Sequence, residues 1–283
     1  PENFNYINSS FISKIKIFFN FRFKYYLIRI LSLVNLWPKI DYFFESSSVI
    51  VDSINNGLSK KIKKIIGLDL SFYLNVIKIN SKYYDFYLNS KDPISEEKIV
   101  FIDGMLFDHQ DVILREGRKN SSDRNKYYED LYNLLKILKN LFKKEVVVCL
   151  HPKNNISIER NDFRDLKCVK FETEKSINKA FIVLYHEGSS IIQAILLKKN
   201  ILNIYGKYLG NYINERSKLY SNPLKIKRVD LENFQIKDKE IFLKELKNST
   251  ENFDEFIMKN IAFDKNNTSI QQIIAFLKLN RII

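Results

Sequence analysis

The sequence predicts an α/β protein whose C-terminal part is a parallel sheet covered by helices on both faces, and three observations predict it. Short, continuous apolar runs recur from Lys98 onward, as strands buried on two faces require. Segments with leucine and isoleucine at helical spacing separate those runs. The three histidines sit where such runs give way to loops, and ligands of open α/β sheets bind outside the carboxyl ends of the strands.

Taken in order, Phe11 to Trp37 is apolar but interrupted by Lys14, Lys16, Arg22, Lys24 and Arg29, which argues against a membrane-spanning helix. It contains no acidic residue, so it is either a basic helix on an anionic membrane surface or a cationic helix packed on a core. After Pro38, Ile40 to Glu45 reads as a strand. Val49 to Val51 reads as another, ending at Asp52-Ser53 before an Asn55-Asn56-Gly57 turn and a basic segment at Lys60, Lys61, Lys63 and Lys64. Asn80 to Pro93 is polar and tyrosine-rich without clear periodicity, and is expected to be a linker.

The second half is more regular. Strands are predicted at Ile99–Ile102, Val146–Leu150, Cys168–Phe171, Phe181–Tyr185 and Ile201–Tyr205, and helices at Asn125–Phe142 and Ser189–Leu197. The tail from Lys237 to Ile283 reads as two or more amphipathic helices, including Ser269–Leu279, that pack on the sheet or against the first half. Residues 95–283 are thus expected to form a Rossmann-type domain, and residues 1–94 a smaller, partial α/β domain with its linker. No GxGxxG follows a strand, which disfavours a dinucleotide enzyme, and no internal repeat is visible.

With 283 residues, 45% hydrophobic and 28% charged, the chain is long enough for a substantial core and is neither disordered nor integral to a membrane by composition. Its net charge of +13 attracts anions of any kind, whether nucleotide, nucleic acid or membrane surface. Cys149 and Cys168 lie in apolar runs without CxxC spacing, which implies free, buried thiols in a reducing, cytoplasmic compartment. No signal peptide is recognisable, and a start at Pro1 suggests a fragment or processed product.

The candidate chemistry lies at the strand ends. Gly188-Ser189-Ser190 stands between a strand and a helix, where outward amides, two hydroxyls and a glycine suit a phosphate; simple N-capping by Ser189 is the bland alternative. His151 follows a strand and precedes Pro152, so it and the serine pair are expected to converge on one anion, with Lys153 either adding charge or simply solvated. His186 is expected to shape that pocket and Glu187 to bind ribose hydroxyls or act as a base. Asp103 ends the first strand of this domain, and His109 follows beside Asp108 and Asp111; a carboxylate at this location could orient a histidine, accept a proton from a hydroxyl or merely cap a turn. Asp103 and Asp52 are the candidate general bases. No HExxH or Cys/His cluster points to a metal.

The order strand, His151-Pro152, strand, Ser189-Ser190, helix, then Lys198-Lys199-Asn200-Ile201 into a further strand resembles the nucleotide-binding domain of GT-B glycosyltransferases, over about residues 98 to 206. More narrowly it is similar to bacterial sialyltransferases and related capsule or lipooligosaccharide transferases, which share an acidic motif, an HP motif and a paired serine motif. The resemblance implies that His151 assists a departing CMP phosphate and that Ser189-Ser190 bind it. It also implies that an acidic residue is the base. Val51-Asp52-Ser53 lacks the second acid and the glycine of that acidic motif, whereas Ile102-Asp103-Gly104 keeps Asp-Gly but opens the second domain.

The function expected is a metal-independent, inverting glycosyltransferase with no cofactor. It would move a sugar, with a CMP-linked nonulosonic acid favoured, onto a cell-surface glycan, at the inner face of the membrane. Rival readings are another GT-B-like enzyme, a polyol-phosphate transferase or sugar-nucleotide epimerase, or a noncatalytic basic module for nucleic acid or membrane.

Overall fold

A computed structural model describes residues 40–46, 73–89, 94–110, 112–113, 121–236, 238–248 and 250–282. The cationic segment at 11–37, the strand expected at 49–51, Asp52, the basic segment at 60–64 and Asp111 lie outside the described residues. The chain divides into two compact units. In the first, β1 (Ile40–Glu45) pairs in parallel with β2 (Tyr73–Lys78), Ile40 opposite Tyr73 and Glu45 opposite Lys78.

The second unit, from Ile79 onward, carries a six-stranded sheet. Its strands are β3 (Lys98–Ile102), β4 (Glu145–Cys149), β5 (Lys167–Val169), β6 (Ala180–Tyr185), β7 (Asn200–Tyr205) and β8 (Lys227–Asp230). They lie in the order β5-β4-β3-β6-β7-β8, every neighbouring pair parallel. Counted within the unit this is 3-2-1-4-5-6, the doubly wound Rossmann order, with its switch point between β3 and β6.

Burial on both faces explains the unbroken apolar runs. Ile99, Phe101, Val146, Val148, Ile182, Leu184, Leu202 and Ile204 point to one face. There α2 (Ser121–Phe142) covers them with Tyr127, Leu131, Leu134, Leu135 and Leu138, a stripe at helical spacing. Val100, Ile102, Val147, Cys149, Val183, Tyr185 and Ile201 point to the other, beneath α4 (Thr173–Asn178) and α5 (Ile191–Leu196). Of the tail, α7 (Lys239–Asn248) adds Phe242 and Leu246 to the first face, and α8 (Phe253–Asn260) adds Phe253 and Phe256 to the second. Both cysteines are free; Cys149 is buried, but Cys168 is only half-buried, at the short edge strand β5. Burial raises each thiol to about 11.

Several elements depart from expectation. Asn80 to Pro93 is not simply a linker, because it contains α1 (Lys82–Asn89). Short α3 (Ile156–Glu159), α6 (Gly210–Ser221) and β8 were not anticipated, nor was β2. The helix expected over 189–197 is only α5, six wholly buried residues.

The helix α1 is fastened by the far end of the sequence. Asn80, fully buried, donates from Nδ2 to the carbonyls of Asp264 (2.5 Å) and Asn267 (2.7 Å) and from its backbone to Gln272 Oε1 (3.0 Å). Its Oδ1 accepts from Phe263 N (2.7 Å) and Asp264 N (3.0 Å). Asp85 accepts from the backbone N–H and hydroxyl of Ser269, the first residue of α9 (Ser269–Leu279). A reciprocal Thr268–Gln271 capping box fixes the start of α9. No helix among the described residues is long and apolar enough to cross a membrane.

Candidate functional site

The sheet brings three strand ends together. His151 follows β4, the Asp103–His109 loop follows β3, and the His186–Ser190 turn follows β6. Because β3 lies between β4 and β6, the strands carrying His151 and the serine pair run about 10 Å apart, two inter-strand spacings. Gly104 relieves crowding within the β3 loop, where a Cβ would stand 3.0 Å from Leu106 Cδ2; the Glu187 carbonyl oxygen of the neighbouring loop lies at an ordinary contact distance of 3.9 Å.

His151 is half-buried on a tight turn. Its carbonyl accepts from Asn154 N (2.8 Å), and its Nδ1 accepts from Lys153 N–H (3.2 Å). A nitrogen that accepts carries no proton, so the neutral ring keeps its hydrogen on Nε2. Burial first, then the neighbouring His109 and Lys153, lower the His151 pKa below its ordinary value. His109 meets His151 edge-on, ring centroids 5.6 Å apart. Lys153 itself is exposed.

The Asp103–His109 loop is held from below. Met105 takes a positive φ of 52°, and the backbone N–H of His109 donates to the Met105 carbonyl (2.7 Å). Arg124, on α2, grips Asp162 through two hydrogen bonds (2.9 and 2.5 Å) and reaches Asp108 at 3.3 Å. This buried guanidinium ties the His109 loop to the segment after α3.

The Asp103 carboxylate is only 3% exposed. It accepts from Met105 N (2.9 Å) and from Asn154 Nδ2 (2.5 Å). Burial raises its pKa, while those hydrogen bonds pull the other way.

Beyond β6 the residues separate. His186 is wholly buried; its Nδ1–H donates to the Ile204 carbonyl (2.9 Å) and its Nε2 meets the Tyr127 hydroxyl at 2.8 Å. Its ring therefore sits in the core, edge-on to Phe101, and is not presented at the sheet edge. Glu187 is paired with Arg216 Nε at 2.5 Å, and Arg216 also donates to the Tyr212 hydroxyl (3.1 Å). Gly188 and Ser189 are exposed and Ser190 is half-buried. Gly188 adopts φ +132°, with nothing within 4 Å of a Cβ placed there. Ser190 holds the N-cap position of α5 without a side-chain capping bond, and the Ser189 hydroxyl lies 2.8 Å from that of Tyr83 on α1.

Of the residues expected from sequence, His109, His151, Lys153, Glu187, Gly188, Ser189 and Ser190 thus gather along one sheet edge, Asp103 lies beneath it and His186 behind it. Sequence reasoning missed Asn154, Arg124, Arg216 and Tyr83. Asn154 stands in His151-Pro152-Lys153-Asn154, where an Asx-turn residue after a proline is a usable signal. Among the described residues, no group of three or more histidine, cysteine or acidic side chains is placed to hold a metal.

No family model and no curated protein matches the chain. Solved structures similar to it include the UDP-GlcNAc 2-epimerase of Methanocaldococcus jannaschii in complex with UDP-GlcNAc and UDP. That match has 11% identity and a TM-score of 0.44, covering 84% of this chain and 61% of the epimerase. S. aureus MnaA in a UDP co-structure matches at 10% identity and a TM-score of 0.41, over 91% of this chain and 78% of that one. The β-Kdo 2,4 transferase KpsC of Thermosulfurimonas dismutans matches at 14% and 0.29, over 57% and 48%. This chain spans about three-fifths of the epimerase's length and half of the transferase's. Likenesses this remote carry no argument about its chemistry.

Proposed function

We propose that this protein is a metal-independent, inverting glycosyltransferase that takes a nucleotide-sugar donor, with a CMP-linked nonulosonic acid favoured, and glycosylates a cell-surface glycan precursor. The observation that carries this reading is the placement of His151 and the exposed Gly188–Ser190 turn on the two strands flanking β3, at the switch point of a Rossmann-ordered sheet. In the reaction, the acceptor oxygen bonds to the anomeric carbon, the bond from that carbon to the phosphate oxygen breaks, and the phosphate leaves with the electron pair. His151 donates a hydrogen bond from Nε2 to that oxygen, and Ser189 and Ser190 donate hydroxyl hydrogens to the phosphate. Lys153 and His109 stand beside His151 and add positive or donor character there.

The acceptor proton passes to a carboxylate, for which the sequence offers Asp52 and Asp103. Glu187, which is paired with Arg216, is assigned to the ribose hydroxyls of the nucleotide. A thermal-shift panel of CMP, CDP, UDP and GDP tests the donor, followed by nucleotide release in the wild type, His151→Ala and Ser189→Ala. Selective stabilisation by CMP and loss of release in both variants is the expected result. Unchanged release in both variants removes the site, selective stabilisation by UDP moves the donor class, and turnover without an acceptor makes the protein an epimerase.

A further inference from the structure

The Asp103 carboxylate has the sequence position of a general base but the surroundings of a fastening. Its hydrogen-bond donors come from two directions. Met105 N–H arrives from its own loop, while the side-chain amide of Asn154 arrives from the turn after β4. A second tie runs beside them, from Asp103 N–H to the Cys149 carbonyl (2.9 Å). A carboxylate with a hydrogen bond on each oxygen, in a residue only 3% exposed, is poorly presented to an incoming hydroxyl.

Asn154 is the other half of the fastening, and every polar atom of its side chain is used. One Nδ2 hydrogen goes to Asp103 and the other to Ser157 Oγ (3.0 Å), while Oδ1 accepts from Ser157 N (3.1 Å). Ser157 Oγ in turn lies 3.1 Å from the Tyr128 hydroxyl on α2, and the Arg124 guanidinium sits over the Tyr128 ring at 4.6 Å. Asn154, Ser157 and Tyr128 are all buried. Buried polar chains of this kind hold one geometry because each lost bond leaves a desolvated group. The chain ends at the turn whose Lys153 N–H fixes His151 Nδ1.

We propose that Asp103 is a positioning residue, forming with Asn154 a buried clasp between the β3 and β4 ends that fixes the His151 imidazole toward the anion. The proposal rests on the reading of His151 given above. It removes Asp103 from the candidates for the base and makes Asn154 its partner in holding the turn.

The test follows the His151 ring titration by NMR in the full-length chain, beside CMP binding and nucleotide release. It compares the wild type with Asp103→Asn, Asn154→Ala and the exchanged pair Asp103→Asn/Asn154→Asp. A clasp predicts that Asn154→Ala, which changes no charge, moves the His151 titration up toward 6.5 and that each single variant weakens CMP binding about tenfold. The exchanged pair again sets a carboxylate against an amide, and recovers much of both. A base predicts otherwise: Asp103→Asn abolishes release with titration and binding unchanged, and the exchange restores nothing; that outcome overturns the proposal. If Asp103→Asn does not fold, Asn154→Ala and Ser157→Ala decide, and wild-type titration and binding in both overturn it. If the wild type binds no nucleotide, the glycosyltransferase reading falls, while the titrations still show whether the clasp orders the histidine.

Discussion

Replacing His186 by phenylalanine separates a core histidine from a site histidine. An aromatic ring is kept, so the edge contact with Phe101, whose ring centroid lies 5.5 Å away, is retained, with the larger phenyl adding some crowding. Two hydrogen bonds are lost, the Tyr127 hydroxyl to Nε2 at 2.8 Å and Nδ1–H to the Ile204 carbonyl at 2.9 Å. Depriving a buried polar group of its partner costs about 1–3 kcal/mol, so the pair amounts to about 2–6 kcal/mol. Against a total stability of about 5–15 kcal/mol this is a large fraction, visible as a lower urea midpoint with an unchanged slope. Binding of CMP by the folded variant, measured by calorimetry well below the new midpoint, is expected to match the wild type. An unchanged midpoint together with lost CMP binding would refute the assignment of His186 to the core.

Three further outcomes follow from the site and its supports. A bound phosphate raises the lowered pKa of His151, so CMP binding takes up protons and tightens as pH falls through the interval between the free and bound values; calorimetry in two buffers of different ionisation heat reads this uptake, and His151→Gln abolishes it. Substituting Arg124 by methionine leaves Asp162 and Asp108 without their buried counter-charge and is expected to cost about 3–5 kcal/mol in a denaturant titration. Gly188→Ala meets no neighbour within 4 Å but must hold φ +132°, so a loss of about 1–3 kcal/mol, all of it from the backbone, is expected on thermal unfolding.

The strands were legible where both faces are covered. Val146–Cys149 and Ile182–Tyr185 are buried at every position, and so they stand out as apolar runs. The edge strand β8 was not, because only Val229 reaches the core. Lys227 pairs with Glu245, Arg228 donates to Asn203 and Ser217, and Asp230 caps the turn that follows. Nor was α1, whose start depends on partners some 180 residues away rather than on its own periodicity.

At the site, strand-end histidines could be located from the pattern but not sorted. Whether a ring at such a position turns outward, as at His151, or inward, as at His186, depends on tertiary partners such as Tyr127 and Ile204. The direction of Asp103 likewise depends on Asn154, one strand and one helix further along the sequence.

The fastening of Asn80, Ser81 and Asp85 to residues 261–272 has a consequence for the order in which the protein acquires its form during synthesis. Tyr83 is translated long before Ser189, yet the helix that carries it gains its anchors only after Gln272 has left the ribosome. Chains emerge at about 5–20 residues per second, so the sheet has a head start of several seconds over its Tyr83–Ser189 contact. A nascent chain stalled just past β8 would therefore present the serine turn bare, and release of the last segment would add the tyrosine.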